Sequence, residues 1–364
     1  MSRVELNHVW KVYEGGVEAV QDASFSIEDR EFVAILGPSG CGKSTTLRMI
    51  CGLEEVYKGE ILFDGKVVND LSPKERNIAL AFESYALYHR LTVYENIAFP
   101  LRAKGMSKLE VDKKVRWIAD VLNVSDILKK RPVGLSGGHQ QRVNLCRALV
   151  REPNVTLLDE PISHMDLRVR ANMRARIRRL HDDLNLTTIY VTHDQDEAVS
   201  IADRIAVMKD ARVQQIGTVD EIWNHPTNKF VATFVGEPQM NFIQGVIETT
   251  HDVSIATKDG KKKFRFSGEV DQKYVGADIT IGIRPQEIGL FLDTEPPASI
   301  RASVELTEFQ GESVIITLKL DDNNHTEIKA VVGADHMPND GETVWMQFTP
   351  EAIYLFDDEI PILR

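Results

Sequence analysis

Three short runs, Phe32-Val33-Ala34-Ile35-Leu36, Val155-Thr156-Leu157-Leu158 and Thr188-Ile189-Tyr190-Val191-Thr192, are built from apolar and β-branched residues with no polar face. Runs of this length predict buried strands of an α/β sheet. Elsewhere the period changes. Within Ser107 to Leu122, the residues Val111, Val115, Ile118, Ala119 and Leu122 recur at helical spacing, and Met173, Ile177 and Leu180 do the same further on. Thr46 to Gly52 reads as a helix closed by its glycine. After a helix-like stretch from Thr227 to Val235 the pattern shortens again. Asp278 to Ile283, Ser313 to Leu320 and Thr343 to Phe348 are rich in Val, Ile and Thr and are separated by Gly, Asp and Asn, the spacing of an all-β barrel. The pattern predicts an α/β domain over 1–236 with a helical insert at about 84–150, then a smaller all-β domain over 237–364.

Composition agrees with two domains. The 364 residues exceed one ordinary domain, and 43% hydrophobic with 27% charged is the balance of a globular protein. No eighteen-residue apolar run occurs, and Met1-Ser2-Arg3-Val4-Glu5-Leu6 lacks the pattern of an export signal, so neither export nor a membrane span is expected. Cys41, Cys51 and Cys146 are odd in number and fit a reducing compartment better than a disulfide framework. A net charge of −12 argues against a nucleic-acid partner. The locally basic run Arg168, Arg170, Arg174, Arg176, Arg178 and Arg179 shares its helix with the apolar stripe at 173, 177 and 180, and reads as a solvated face.

The chemistry sits where the predicted strands end. The first strand runs into Gly37-Pro38-Ser39-Gly40-Cys41-Gly42-Lys43-Ser44-Thr45, which opens the next helix. Strand, glycine-rich loop and helix start are what a phosphate loop needs: backbone N–H groups turn inward and the helix terminus adds positive partial charge. Lys43 then reaches the β- and γ-phosphates as a point charge, and the Ser44 hydroxyl suits an octahedral Mg²⁺. The second strand ends in Asp159-Glu160-Pro161, two adjacent acids that can divide labour. Asp159 would hold the Mg²⁺ shell and Glu160 would act as general base on water. The third strand delivers His193, placed to orient the γ-phosphate and water.

As a set these residues resemble the ATPase subunits of ATP-binding cassette (ABC) transporters, and among them the MalK-like subunits of carbohydrate importers, over essentially the whole chain. Leu135-Ser136-Gly137-Gly138-His139-Gln140, Ser163-His164-Met165-Asp166 and Gly282-Ile283-Arg284-Pro285-Gln286-Glu287 complete the resemblance. It implies an α/β P-loop NTPase of the ABC type with a helical insert, followed by an OB-like (TOBE) domain that contacts its twin. ATP and Mg²⁺ are the implied cofactors. Tyr13 would stack on adenine, Asp166 would lie in a loop crossing a dimer interface, and Ser136, Gly137, Gly138 and His139 would cover a γ-phosphate held by a second copy. The implied partners are two transmembrane permease subunits that dock on the helical insert, with an extracytoplasmic solute-binding protein acting indirectly. The implied location is the cytoplasmic face of the inner membrane, as a peripheral subunit.

Two positions depart from the family pattern. Glu83 stands where the family has a glutamine that touches Mg²⁺ and the attacking water. A carboxylate is a hard-metal ligand, yet its charge beside a phosphate is worth kilocalories at intermediate dielectric. His139 replaces a second glutamine and can still donate to a ribose hydroxyl. Two readings follow. In the first the chain is a hydrolysing ATPase that powers import of a sugar or sugar derivative such as a glycoside or polyol, with a homodimer as default. In the second, Glu83 and His139 mark a hydrolysis-weakened regulatory subunit or one paired with a different ATPase in a heterodimer.

Overall fold

The computed structural model describes residues 2–82, 86–163, 165–292, 294–322 and 326–363. Glu83, and with it Ser84, Tyr85 and His164, lies outside the described residues. The chain divides into two compact units, Met1–Val219 and Asp220–Arg364.

In the first unit an antiparallel sheet is formed by β1 (Val4–Val12), β2 (Glu18–Ile27), β4 (Lys58–Phe63) and β5 (Lys66–Val67), ordered β2-β1-β4-β5. A second sheet contains β3 (Phe32–Leu36), β6 (Ile78–Ala81), β7 (Val155–Asp159), β8 (Thr187–Thr192), β9 (Arg204–Lys209) and β10 (Arg212–Gly217) in the order β10-β9-β3-β8-β7-β6. From β9 to β6 its strands are parallel, with β3 between β8 and β9. Every residue of β3, β7 and β8 is buried. The pleat divides them between two cores. Val33, Ile35, Leu157 and Ile189 join the antiparallel sheet and Leu47, Met49 and Ile50 of α1 (Lys43–Cys51). Phe32, Leu158 and Tyr190 point the other way, into a core shared with helices. Burial on both faces is why these strands show no alternation.

Those helices are α2 (Val93–Ala103), α3 (Lys108–Val121), α4 (Gly137–Leu149) and α5 (Leu167–Leu184). Local chemistry sets their starts. Thr92 with Glu95, and Ser107 with Glu110, each form a reciprocal capping box ahead of α2 and α3. Met173, Ile177 and Leu180 of α5 are buried, as their spacing predicts. The arginines of the same helix do more than meet solvent. Arg178 pairs with Asp203 at 2.8 Å, and Arg170 donates from Nε to the Met165 carbonyl at 2.9 Å.

The second unit holds two antiparallel sheets of six and five strands whose inner residues, among them Ile281, Ile316 and Val344, share one core. The strands over Asp278–Ile283, Ser313–Leu320 and Thr343–Phe348 coincide with the sequence expectation. The sequence pattern puts the division at 236/237, whereas the structure divides the chain at 219/220. On the second unit's side of that division, Arg284, only 1% exposed, donates from Nη1 to the Val235 carbonyl at 2.6 Å and from Nη2 to the Trp223 carbonyl at 2.8 Å. Its guanidinium also lies 3.9 Å from the centre of the Trp223 ring. One buried side chain thereby fastens α7 (Val219–Asn224) and α8 (Lys229–Phe234) to the β domain.

Candidate functional site

The loop from β3 to α1 is set by backbone constraints. Gly42 sits at φ 107°, and a Cβ there would meet the Ala19 carbonyl oxygen at 2.3 Å, so no other residue fits the start of α1. A glycine at this cap also has no side chain to satisfy the N–H groups of the first turn, which leaves them for an anion. Lys43 is buried and donates from Nζ to the carbonyls of Gly37 at 2.7 Å and Pro38 at 2.9 Å. An ammonium has three donors, so one remains for a phosphate oxygen. Ser39 and Gly40 are exposed on this loop, while Cys41 is buried and burial pushes its thiol pKa up. A neutral thiol keeps negative charge away from the phosphates. Tyr13 is half-buried; its hydroxyl lies 3.5 Å from Thr45 Oγ1, and Lys11 Nζ sits 4.9 Å from the centre of its ring.

Parallel strands bring the remaining groups to the same edge. Leu36 pairs with Thr192 across β3 and β8, and Asp159 with Val191 across β7 and β8, so the residues that follow converge. Ser44 Oγ donates to Asp159 Oδ1 at 3.1 Å. A hydroxyl and a carboxylate in contact are the hard oxygen donors that Mg²⁺ takes from protein when phosphate and water fill its other positions, so these residues fit that ion. Glu160 follows at φ 45° with its N–H donated to the Val191 carbonyl at 3.0 Å. Its Oε1 lies 3.0 Å from His193 Nδ1.

A second set of residues gathers at the start of α4. Ser136 precedes the helix without capping it, because its hydroxyl lies 2.7 Å from His139 Nδ1 instead. Burial, then the charge of Arg142, lowers the His139 pKa and so favours the neutral ring. Gly137 and Gly138 form the first turn. Asp166 is exposed at the start of α5.

The structure adds residues that the sequence reading passed over. Gln141 Nε2 donates to the Glu160 carbonyl at 3.0 Å and links α4 to the first set. Arg170 Nη2 donates to the Ser163 carbonyl at 2.5 Å, and its Nη1 lies 3.4 Å from Asp194 Oδ2. Asp194 caps α6 (Gln195–Ile201), in which buried Glu197 accepts from Tyr190 and Thr192 at 2.8 Å each. Burial raises the Glu197 pKa while these two hydroxyls oppose the rise. An Asp followed three residues later by Glu is a helix-start signature, and it was legible after His193.

A groove of about 620 Å³ opens elsewhere on this unit, lined by Leu53, Phe82, Tyr88, Phe99, Pro100 and Arg147. The rings of Tyr88 and Phe99 are 4.9 Å apart, and the Arg147 guanidinium is 5.5 Å from the Tyr88 centroid. Lys104 and Arg151 also line it.

Known proteins share this arrangement of sequence. The ABC transporter family model matches residues 20–163, the MalK OB fold domain matches 236–288 and the TOBE domain matches 281–356. The multiple sugar-binding transport ATP-binding protein MsmK of Streptococcus mutans is 42% identical over 378 residues, covering 99% of this chain and 98% of that protein. The chain belongs to the ATP-binding subunits of ABC transporters. This ABC subunit is also 40% identical to the oligosaccharides import ATP-binding protein MsmX of Bacillus subtilis, over 100% of the chain and 99% of that protein. With the trehalose/maltose import ATP-binding protein MalK of Thermococcus litoralis it shares 41%, over 98% of each. A solved dimeric ATP-binding cassette, MJ0796, in a post-hydrolysis state bound to ADP and Pi, is 32% identical with a TM-score of 0.56, covering 59% of this chain and 98% of its own. The subunit binds ATP and is an ABC-type ATPase. Among the described residues no helix is long and apolar enough to cross a membrane.

Proposed function

We propose that this subunit hydrolyses ATP in a seam between two copies and so drives import of a sugar or sugar derivative through two transmembrane permease subunits, supplied by an extracytoplasmic solute-binding protein. The observation that carries the reading is the juxtaposition at one sheet edge of Ser44 with Asp159 and of Glu160 with His193. Full-length identity to three sugar-import ATP-binding proteins supports the cargo class.

The amides from Ser39 to Thr45 and the Lys43 ammonium hold the phosphates, and Tyr13 offers its ring to adenine. Ser44 and Asp159 would hold Mg²⁺, which when bound neutralises charge on the β- and γ-phosphates. His193 occupies one oxygen of Glu160, leaving the other to take the proton of the attacking water. As the water oxygen bonds to the γ-phosphorus, the bond to the β–γ bridging oxygen breaks and ADP leaves. Ser136, Gly137, Gly138 and His139 of one copy cover the nucleotide of the other, and Asp166 borders the seam. The groove beside Tyr88 and Phe99 receives a short permease helix; its apolar floor and the cations Lys104, Arg147 and Arg151 suit an apolar helix that carries acids.

Reconstitution with permease and binding subunits, followed by a screen of glycosides and polyols, tests the reading. At least one of these solutes is expected to stimulate phosphate release several-fold. A flat response across all of them, with uptake absent, defeats it.

A further inference from the structure

Gln141 reaches the catalytic strand end from a separate element. It is 1% exposed, its Nε2 donates to the Glu160 carbonyl at 3.0 Å, and its Oε1 has no hydrogen-bond partner among the described residues. Glu160 itself is held at φ 45°, a conformation that a residue with a Cβ keeps only where its surroundings enforce it. On its other side the Glu160 N–H is donated to the Val191 carbonyl at 3.0 Å. Ser163 Oγ also reaches the Glu160 carbonyl at 3.0 Å, but Ser163 lies three residues on and moves with the same turn. A buried amide with one arm unmet fills core space at a cost that an apolar side chain of equal volume would avoid.

From this arrangement we propose that Gln141 is a positioning residue for hydrolysis. It fixes the strained backbone of Glu160 so that the carboxylate faces the attacking water. Ser136 precedes the same helix and Gly137 to His139 open it, so Gln141 also connects the surface this copy offers to its twin with the base that works on its own nucleotide. When α4 shifts on closure, Glu160 shifts with it. The inference rests on the reading of Glu160 as general base.

Gln141→Met in the full-length chain tests it. Turnover should fall about 10- to 100-fold, the penalty of a slightly misplaced group, while the KM for ATP and the melting temperature stay those of the unaltered chain. In a Glu160→Gln background the same change should lower residual turnover no further, because there is no base left to position. Unaltered turnover in Gln141→Met overturns the inference, and so does an equal loss of ATP affinity or a loss that persists in the Glu160→Gln background. Full turnover in Glu160→Gln alone overturns the reading of Glu160 and the inference with it, so the two failures are told apart. If Gln141→Met does not fold, Gln141→Glu keeps the shape without the N–H donor and carries the same expectations.

Discussion

A glutamate at φ 45° costs roughly 1–3 kcal/mol of backbone strain, and here it places a carboxylate 3.0 Å from a histidine at the edge of the phosphate loop. The prediction at this scale is that Glu160→Gln keeps ATP binding while turnover falls about 10²–10⁴-fold, the usual worth of a positioned base. Equilibrium nucleotide binding and phosphate release measured on one preparation check it; near-normal release would remove Glu160 from the mechanism. Lys43, Ser44, Asp159, Glu160 and His193 were singled out in the sequence because each follows the end of an apolar run, directly or through the glycine-rich loop, and the structure brings Ser44 to Asp159 and His193 to Glu160. Gln141 and Arg170 were not, and for Glu197 the spacing from Asp194 marks a helix start without saying that its carboxylate meets Tyr190; nothing local says that Gln141 will meet Glu160 or Arg170 the Ser163 carbonyl.

Elements were legible where local chemistry closes on itself. The capping boxes at Thr92 and Ser107 fix two helix starts from four residues each, and Gly52 ends α1 in the left-handed conformation. Packing between elements was less so. His181, in the last turn of α5, lies with Nδ1 3.0 Å from Thr188 Oγ1 and with its ring centroid 5.1 Å from that of Phe32. Burial, then the charge of Arg178, push its pKa below the ordinary 6.5, against the pull of Asp182 and Asp203. The unfolded ring takes its proton near 6.5, the folded ring only at lower pH. Between those two values the unfolded chain binds more protons, so this contribution to stability is whole above 6.5 and is lost as pH falls through the window. The melting temperature should therefore drop between about pH 7.5 and about pH 5.5, and His181→Gln should flatten that part of the drop. Parallel curves for the two proteins would show that His181 does not contribute.

At the scale of the whole molecule, the proposed completion of the site by a second copy predicts that activity depends on concentration. Turnover per chain should fall as the protein is diluted below its dimerisation constant, with sedimentation measured alongside. A specific rate constant over the full dilution range, with the protein monomeric, would mean that one chain suffices. The division of the chain shows how far sequence reaches at this scale. The sequence pattern changes at Gly236, whereas the compact units divide at 219/220, and Arg284 ties the short helices between those two points to the β unit.

The chain's sequence alone determined which runs become strands buried on both faces, which glycine-rich segment opens a helix, and which residues cap helix starts, because each depends on side chains within a few positions of one another. The tertiary structure alone decided that Ser44 meets Asp159, that His193 holds Glu160, and that Gln141 grips the strained backbone between them. Those contacts join residues from separate elements: the parallel register of β3, β8 and β7 brings the strand ends to one edge, and α4 brings Gln141 to them.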